Sequence, residues 1–491
     1  MEDIIDYSGK NPVLRKSRLK RNLISLGYRI ITNDKMMGDA FLVKTESKFI
    51  RRINLQEIMD EALKMTSGTD VEEDIIIDAN LLDRKFVKIL PRIDVTAFKD
   101  PKDYCFMFFQ NAVVRISRDG TVDKIKADDV DTRGRKIWET SIMKYDYDWK
   151  EDWKEGEWYH FCRNVVGEEG LPYLMRALGY LLHTYKDPAC PKAIILSESH
   201  QDEGGDANGG TGKSLIATKA LSVFRNVSTV DGKRWNPKDR FNFQGVNEEA
   251  DIVALEDVPM RFRYDAIYNY ITGDSEIERK GTTSIKVPYE QSAKYLITTN
   301  YGIALHGASD RRRRCVIGLK NHYSDTFTPL DEFGHRLFDD WDETEWGRFF
   351  SFMIECVKIY FKEGIDNYAN DGIEAVASRR FIGSDMYYYC VDNYAEFLDG
   401  MTPNDVYNKI VNDGASMGLR CEDCLKKFYM CMSMIGLERK IIQPRQGTIR
   451  VRLVSFAISN QKKLNEAIRQ VNPDLAEKET PVPELEEECP F

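Results

Sequence analysis

The stretch AIILSESHQDEGGDANGGTGKSLIATKALSVF, residues 193–224, decides the fold of this chain. Its first six residues form an apolar run of the kind found in buried strands. A glycine-rich loop, residues 199–214, follows this run, and the sequence then takes on a helical pattern. This order of strand, glycine-rich loop, Gly-Lys-Ser and helix is the setting in which a phosphate-binding P-loop is meaningful. We therefore predict an α/β fold built around this segment.

Six consecutive residues of the loop are the candidates for binding the phosphates of ATP: Gly209, Gly210, Thr211, Gly212, Lys213 and Ser214. Glycines let successive backbone N–H groups turn toward phosphate oxygens without a Cβ clash. The lysine would reach the β- and γ-phosphates, and the serine hydroxyl would hold Mg²⁺. The helix that begins there points its positive end at the anion. The sequence therefore predicts ATP and Mg²⁺ as cofactors.

One position departs from the usual P-loop pattern. Ala207 stands where the pattern has its first glycine, so that Asn208, Gly209 and Gly210 would have to supply the turn. Short glycine-rich segments of this kind also occur in flexible loops that bind nothing. The strand before the loop and the helix after it favour the phosphate-binding interpretation.

Two further apolar runs end in polar residues. DIVALEDV, residues 251–258, ends in the adjacent acids Glu256 and Asp257. Beside a P-loop strand, Glu256 would hold the Mg²⁺ shell and Asp257 would orient or deprotonate the attacking water. KYLITTNY, residues 294–301, carries Asn300, which would hydrogen-bond that water or the γ-phosphate from a neighbouring strand end. The alternative for the two acids is an ordinary surface strand with a charged end.

Four consecutive arginines follow in SDRRRRC, residues 309–315. Burying them without anionic partners is costly. In a ring of subunits, Arg311, Arg312 or Arg313 would reach the ATP of the neighbouring subunit and stabilise the charge of the transition state. The alternative is a solvated basic turn.

A β-hairpin with a basic tip is predicted between the second and third apolar runs. The residues on either side of Lys280-Gly281-Thr282 alternate in polarity, which favours two strands joined by a turn. The candidates for binding DNA at this tip are Arg279, Lys280 and Thr282.

The P-loop, the acidic strand end, the hairpin and the Asn-ended strand lie in this order within about 90 residues. This arrangement resembles superfamily 3 helicases, the replicative ring helicases of viruses, phages and plasmids. EIERKGTTSIKVPYEQSAKYLITTN, residues 276–300, is similar to the corresponding segment of papillomavirus and parvovirus helicases. The wider context resembles the helicase part of poxvirus- and phage-type primase-helicases. The resemblance implies an AAA+-like core in a hexameric ring, whose hairpins follow DNA as ATP is hydrolysed.

The same resemblance assigns roles to individual residues. Lys280 matches the hairpin-tip lysine that grips the DNA backbone, while Gly281 replaces the histidine that some relatives have next to it. Asn300 matches the sensor asparagine. Arg311 and Arg312 best match the arginine that acts on the neighbouring subunit, although Arg313 also fits. Residues 1–140 show no primase signature.

The complete prediction is an AAA+-like P-loop ATPase core with an α/β amino-terminal domain, a helical collar and a carboxy-terminal winged-helix-like domain. The predicted segments are an α/β domain over 1–140, a collar over 141–190, the ATPase core over 191–325, a helical extension over 326–385, the winged-helix-like domain over 386–460 and an acidic disordered tail over 461–491.

The net charge of −10 does not exclude a nucleic-acid partner. Residues 472–491 supply −6 of it, and DNA is bound by local potential rather than by net charge. The tail ends in Leu485–Phe491, which resembles the acidic tips with which single-stranded-DNA-binding proteins dock on replication partners; the alternative is a solubilising end. The basic cluster of residues 15–21 is interpreted either as a solvated helix face or as a DNA-facing patch. No apolar run is long enough for a membrane span, and scattered cysteines fit the cytoplasm, here that of a bacterial host cell.

Together these features predict an ATP-dependent helicase or translocase that acts on single-stranded or forked DNA in replication. The first alternative is an AAA+ switch or protein remodeler without unwinding activity. A protein remodeler usually offers an aromatic pore loop, and Lys280-Gly281-Thr282 contains no aromatic residue. The second alternative is a DNA-binding module with a decayed P-loop, against which the intact set of polar residues argues.

Overall fold

The computed structural model describes residues 1–31, 41–79, 89–198, 212–247, 249–259, 262–280, 284–300, 312–324, 326–365, 382–416, 418–446 and 449–471. The chain is mixed α/β, as predicted, and its contacts divide it into two compact units. The first unit comprises the described residues up to 365, and the second comprises those from 382 onward. The finer division into six domains stays a prediction.

The amino-terminal part of the first unit is built on a small mixed sheet. Strands are numbered in chain order, and a short pair comes first: β1 (Ile5–Asp6) and β2 (Val13–Leu14). The strands of the sheet are β3 (Tyr28–Ile31), β4 (Phe41–Glu46), β5 (Phe49–Arg52), β6 (Arg92–Ile93) and β10 (Ile137–Trp138). They lie in the order β10-β5-β4-β3-β6. Its described helices are Lys16–Ser25, Leu55–Lys64 and Asp70–Asp78.

Two of the five basic side chains in the cluster of residues 15–21 pair with acids in this region. Arg15 Nε lies 2.7 Å from an Asp6 carboxylate oxygen, and Arg21 donates two hydrogen bonds to the Glu2 carboxylate. Lys16 and Arg18 donate to backbone carbonyls. These local pairings favour the solvated helix face over the DNA-facing patch.

A three-stranded antiparallel sheet connects this region to the main core. It consists of β7 (Tyr104–Phe108), β8 (Val113–Ser117) and β9 (Val122–Ile125). Its side chains alternate between two hydrophobic clusters, because successive residues of a strand point to opposite faces. Cys105 and Met107 enter the main core, whereas Phe106 and Phe108 enter a smaller one.

The main core surrounds a five-stranded, wholly parallel sheet. Its strands are β11 (Ala193–Glu198), β12 (Val227–Asp231), β13 (Ile252–Glu256), β16 (Lys294–Thr299) and β17 (Arg314–Leu319). The order across the sheet is β12-β13-β16-β11-β17. The sequence analysis placed the acid-ended strand directly beside the P-loop strand. That placement is wrong, because β16 lies between β11 and β13.

The predicted basic-tipped hairpin is present beside this sheet. It consists of β14 (Ser275–Ile277) and β15 (Ile285–Val287), which pair antiparallel with Glu276 opposite Lys286. The short helix Tyr268–Thr272 precedes it.

Two long helices cover the sheet and carry much of the core. The helix Glu157–Leu182 is interrupted at Gly167, whose φ of 76° is non-helical, and it packs along the helix Glu343–Glu363. At Gly179 the two helices approach so closely that a Cβ would lie 2.1 Å from the Cys356 carbonyl oxygen. The short helix Pro329–Phe333 lies between them in sequence. Part of the region predicted as a collar is therefore a buried scaffold for the sheet.

The second unit contains helices followed by a β-hairpin, as predicted. Its helices are Ser384–Asn393, Pro403–Asn412, Cys421–Met434 and Gln461–Val471. The strands β18 (Leu437–Ile442) and β21 (Leu453–Ile458) pair antiparallel, and the shorter pair β19 (Arg445–Gln446) and β20 (Ile449–Arg450) lies between them in sequence. Val454 of β21 also bridges to Met401, ahead of the second helix. Within the described part of the chain, no helix has the length and apolar character needed to cross a membrane.

The close approach of the two long helices makes Gly179 sensitive to substitution. We expect Gly179→Ala to lower the free energy of unfolding of the first unit by about 1–3 kcal/mol, because the added methyl group overpacks a contact with backbone. Urea unfolding followed by tryptophan fluorescence measures this change. Gly245→Ala is the matched control, since a Cβ there meets no atom within 4 Å. An equal loss of stability in both variants would contradict the close packing at Gly179.

Candidate functional site

Six of the ten described site residues that were predicted lie where the carboxyl ends of three parallel strands meet, at one end of the main sheet. Ser197 of β11 is level with Thr299 of β16, and Leu255 of β13 is level with Ile297. Glu198, Glu256 and Asn300 therefore follow these positions at the same edge. In open parallel sheets, ligands bind outside the carboxyl ends of the strands.

Lys213 forms a buried ion pair at this edge. Its Nζ lies 2.6 Å from Oε1 of Glu198, the last residue of β11, and the side chains are 7% and 1% exposed. A buried pair of opposite charges offsets the cost of removing each from water only when the geometry is good. The pair holds the lysine at the start of its helix, directly after the glycine-rich loop.

Gly212 fixes the entry of the chain into this helix. Its φ is +85°, and a Cβ at this position would lie 2.5 Å from Cζ of Phe161, on the helix Glu157–Leu182. Ser214 is exposed, and its carbonyl accepts a hydrogen bond from the Thr218 hydroxyl at 2.7 Å. The next residues, Leu215–Ala220, are π-helical. Short π-helical segments often occur at functional sites.

The acidic pair lies at the end of β13. Asp257 has a φ of +53°, which is unusual for a residue other than glycine, and its N–H donates to the Thr298 hydroxyl at 3.0 Å. Lys233 Nζ lies 3.2 Å from the Asp257 carboxylate. Burial and the neighbouring Asp257 carboxylate raise the pKa of Glu256 above its ordinary value. Left-handed backbone at such a position is a form of strain that clusters at functional sites.

Backbone contacts with β16 continue beyond the end of β13. The Val258 N–H donates to the Thr298 carbonyl at 2.9 Å, and the Thr299 hydroxyl donates to the Val258 carbonyl at 2.8 Å. Asn300 follows directly after Thr299 and is half-buried. These contacts join the backbone after β13 to the end of β16, next to Asn300.

The described arginines of the tract lie at the amino ends of the strands, which is the opposite end of the sheet from Glu198. Arg314 is the first residue of β17 and is level with Ala193, the first residue of β11. A strand of six residues separates that edge from Glu198 by roughly 17 Å, at about 3.3 Å per residue. Arg312 is exposed, and the Arg313 guanidinium lies 4.7 Å from the ring centroid of Tyr268. The described arginines therefore stand away from Lys213 of their own chain.

The hairpin carries its basic residues in different environments. Lys280 is exposed, and its Nζ lies 5.8 Å from the ring centroid of Phe241. Arg279 donates to the Val246 carbonyl at 2.8 Å, so its guanidinium is engaged within the chain. Glu278 pairs with Arg240 at 3.2 Å. Of the two described basic residues at the tip, Arg279 and Lys280, the structure exposes Lys280.

Five predicted site residues lie outside the described residues: Gly209, Gly210, Thr211, Thr282 and Arg311. The predicted tail contact through Leu485–Phe491 also lies outside them. Their roles stay predictions.

The sequence analysis missed Glu198, Thr298 and Phe161. A charged residue at the end of the apolar run AIILSE resembles a solvent-exposed strand end, so Glu198 gave no separate signal. Glu198 and Lys213 are also separated by 15 positions in the sequence, so no local pattern indicates that they pair. Phe161 could have been found only from the close approach at Gly212.

Comparisons with known proteins give a partial match. A family model described as "Family of unknown function (DUF5906)" matches residues 206–314, which include the carboxyl-edge strands β13 and β16. None of the curated protein sequences matches the chain.

Among solved structures, the chain is similar to the C-terminal region of NrS-1. One such structure has a TM-score of 0.43 and 13% sequence identity, and the match covers 89% of this chain and 98% of that one. Another has a TM-score of 0.40 and 11% identity, covering 89% and 99%. A full-length MCM homolog from Methanopyrus kandleri matches at a TM-score of 0.20 and 9% identity, covering 77% and 89%. At such scores the similarity assigns neither a fold nor a function to this chain.

The buried pair predicts a specific pattern of stability changes. Glu198→Gln and Lys213→Met each remove the charge that lies 2.6 Å from the other buried charge, and each should cost about 3–5 kcal/mol. The double variant should be more stable than the sum of the single changes implies, with a coupling on the order of 1–3 kcal/mol in urea unfolding.

The exposed pair of Lys219 and Asp339, at 3.1 Å and about half exposed on both sides, is the matched control. Its coupling should stay below about 1 kcal/mol. Additive effects of the Glu198 and Lys213 substitutions would contradict a direct interaction between them.

Proposed function

We propose that this protein hydrolyses ATP to move along DNA, as a helicase or translocase in the replication of a phage, virus or plasmid. The observation that carries the proposal is the group of polar side chains at one sheet edge. A buried lysine follows a glycine-rich loop there, two adjacent acids end one strand, and an asparagine follows the next. These are the groups that phosphoryl transfer to water requires.

In the proposed site, Lys213 binds the β- and γ-phosphates, and Ser214 and Glu256 hold Mg²⁺. Asp257 and Asn300 orient the attacking water, whose oxygen bonds to the γ-phosphorus as the bond to the bridging oxygen breaks. The adjacent carboxylates of Glu256 and Asp257 support a cation at this position, because a divalent ion would offset the repulsion between them. The phosphates would also replace Glu198 as the anion beside Lys213.

The proposed arginine finger acts between subunits. Arg312 and Arg313 lie at the edge of the sheet opposite Lys213, so they serve this reaction only from a neighbouring copy of the chain. This geometry supports a homo-oligomer in which each ATP lies between two subunits, and a hexameric ring is the arrangement we propose. The fold of the first unit is then an AAA+-like P-loop core, with the sheet order given above.

The proposed contact with single-stranded or forked DNA is the tip of the β14–β15 hairpin. Lys280 is exposed there and would bind backbone phosphates without regard to sequence. The second unit, with three helices, a bridge at Met401, a hairpin and a final helix, is proposed to be winged-helix-like.

The coupling of hydrolysis to DNA is tested with Lys280→Ala. We expect single-stranded DNA to stimulate the steady-state ATPase rate of the wild type, and Lys280→Ala to keep only the basal rate. Lys286→Ala is the matched control, since its side chain is 63% exposed on the same hairpin but away from the tip. Hydrolysis that responds neither to DNA nor to Lys280→Ala would favour the AAA+ switch or remodeler, and a chain without ATPase activity would refute the proposal.

Mixing of inactive variants tests the shared site. We expect Arg312→Ala to lower kcat on the order of 10³-fold, because an arginine finger stabilises the transition-state charge. Glu256→Gln should also be inactive. A mixture of the two variants should regain activity, since some interfaces then combine an intact acid pair with an intact arginine. If Arg312→Ala retains activity, the same experiment with Arg313→Ala decides between the two residues. If neither arginine variant regains activity when mixed with Glu256→Gln, no described arginine is the finger.

A further inference from the structure

The second unit concentrates its positive charge in one hairpin. The segment from Leu437 to Ile458 contains five basic residues and one acid: Arg439, Lys440, Arg445, Arg450, Arg452 and Glu438. The three helices that precede it, Ser384–Asn393, Pro403–Asn412 and Cys421–Met434, together hold five acids and three basic residues. The positive potential of this unit therefore belongs to the hairpin rather than to its helices.

In the described part of this hairpin, the basic side chains of Arg439, Lys440 and Arg452 face solvent. Residues 438–443 are all exposed. Arg452, which directly precedes β21, is exposed as well. Within the described residues, no ion pair involves Arg439, Lys440 or Arg452. The Arg439 guanidinium lies 4.7 Å from the Tyr429 ring centroid, which holds it against the helix Cys421–Met434. These charges are therefore not neutralised by the described part of the unit.

The helix beside the hairpin is not a second basic surface. Its exposed residues include the acids Glu422 and Asp423 in its first turn, and Lys426 is its exposed basic residue. An anionic ligand is consequently attracted to the hairpin and repelled from the start of the helix. The hairpin also exposes Ile441 and Ile442, at 46% and 47%, which is unusual for large apolar side chains beside basic ones.

We propose that the β18–β21 hairpin is a second nucleic-acid site, which binds the backbone of duplex DNA. The major groove is wide enough for a two-stranded β-ribbon, and lysine and arginine side chains release counterions as they bind phosphates. The exposed isoleucines supply apolar contacts to sugars or base edges. The site recognises charge and groove shape and carries no base-specific reader. It lies in the second unit and does not depend on the ATPase proposal.

Duplex binding by the full chain tests this site. Every protein tested carries Lys280→Ala, so that the tip of the β14–β15 hairpin does not contribute to binding. The affinity for duplex DNA is measured by fluorescence anisotropy, without nucleotide, over a series of salt concentrations. We expect Lys440→Gln with Arg452→Gln to weaken binding about 10- to 100-fold at 0.1 M salt. The slope of log affinity against log salt should fall by about 2.

Lys462→Gln with Lys463→Gln is the matched control, because it removes the same charge from exposed positions on the last helix of the unit. It should change the affinity by less than about twofold if the contact is local to the hairpin. Circular dichroism and thermal unfolding confirm that both double variants are folded.

Three outcomes would overturn the proposal. Equal losses in the two double variants would show diffuse attraction by net charge. Unchanged DNA binding with lost binding to poly-glutamate in the hairpin variant would assign the surface to an acidic protein partner. Unchanged DNA binding with increased aggregation would show that the charges protect an edge strand, which is a common role for lysine.

Discussion

The parallel pairing of β11 with both β16 and β17 is the constraint on which the rest of the first unit depends. Because the strands run in the same direction, all of their carboxyl ends meet at one edge and all of their amino ends at the other. Glu198, Lys213, Glu256 and Asn300 therefore collect on one side, and the described arginines begin β17 on the other. An antiparallel β16 would have moved Asn300 to the wrong edge.

This division has an energetic consequence at the carboxyl edge. Lys213 is buried, and burying an ammonium group is costly unless it is paired or hydrogen-bonded. Glu198 fills that role in the structure, at the end of the strand that leads into the loop. A bound polyphosphate would take over the same role with more charge, so the pair keeps the lysine oriented before any anion arrives. In the proposed function, the affinity for nucleotide then depends on how much more strongly Lys213 interacts with phosphate than with the Glu198 carboxylate.

The parts of the fold with strong periodicity could be predicted from the sequence. The strand Ala193–Glu198 lies at its predicted bounds, because a continuous apolar run marks its extent. The lateral order of the sheet could not be predicted, since β13 and β16 are similar apolar runs and local sequence does not say which lies beside β11. Long-range electrostatic pairs such as Glu198 with Lys213 are hidden for the same reason.

The two basic hairpins differ in how their charges are compensated. On β14–β15, Glu278 pairs with Arg240, Lys286 lies 3.8 Å from Asp274, and Arg279 donates to a carbonyl, which leaves Lys280 as the exposed described cation of the tip. On β18–β21, the described basic residues lack such ion pairs. A contact made by one lysine per subunit is weak and quickly reversed, which suits the proposed role of a hairpin that releases each phosphate as it moves. Several uncompensated charges suit a surface that holds DNA continuously. We therefore propose that the β14–β15 hairpin moves along DNA and that the β18–β21 hairpin holds it.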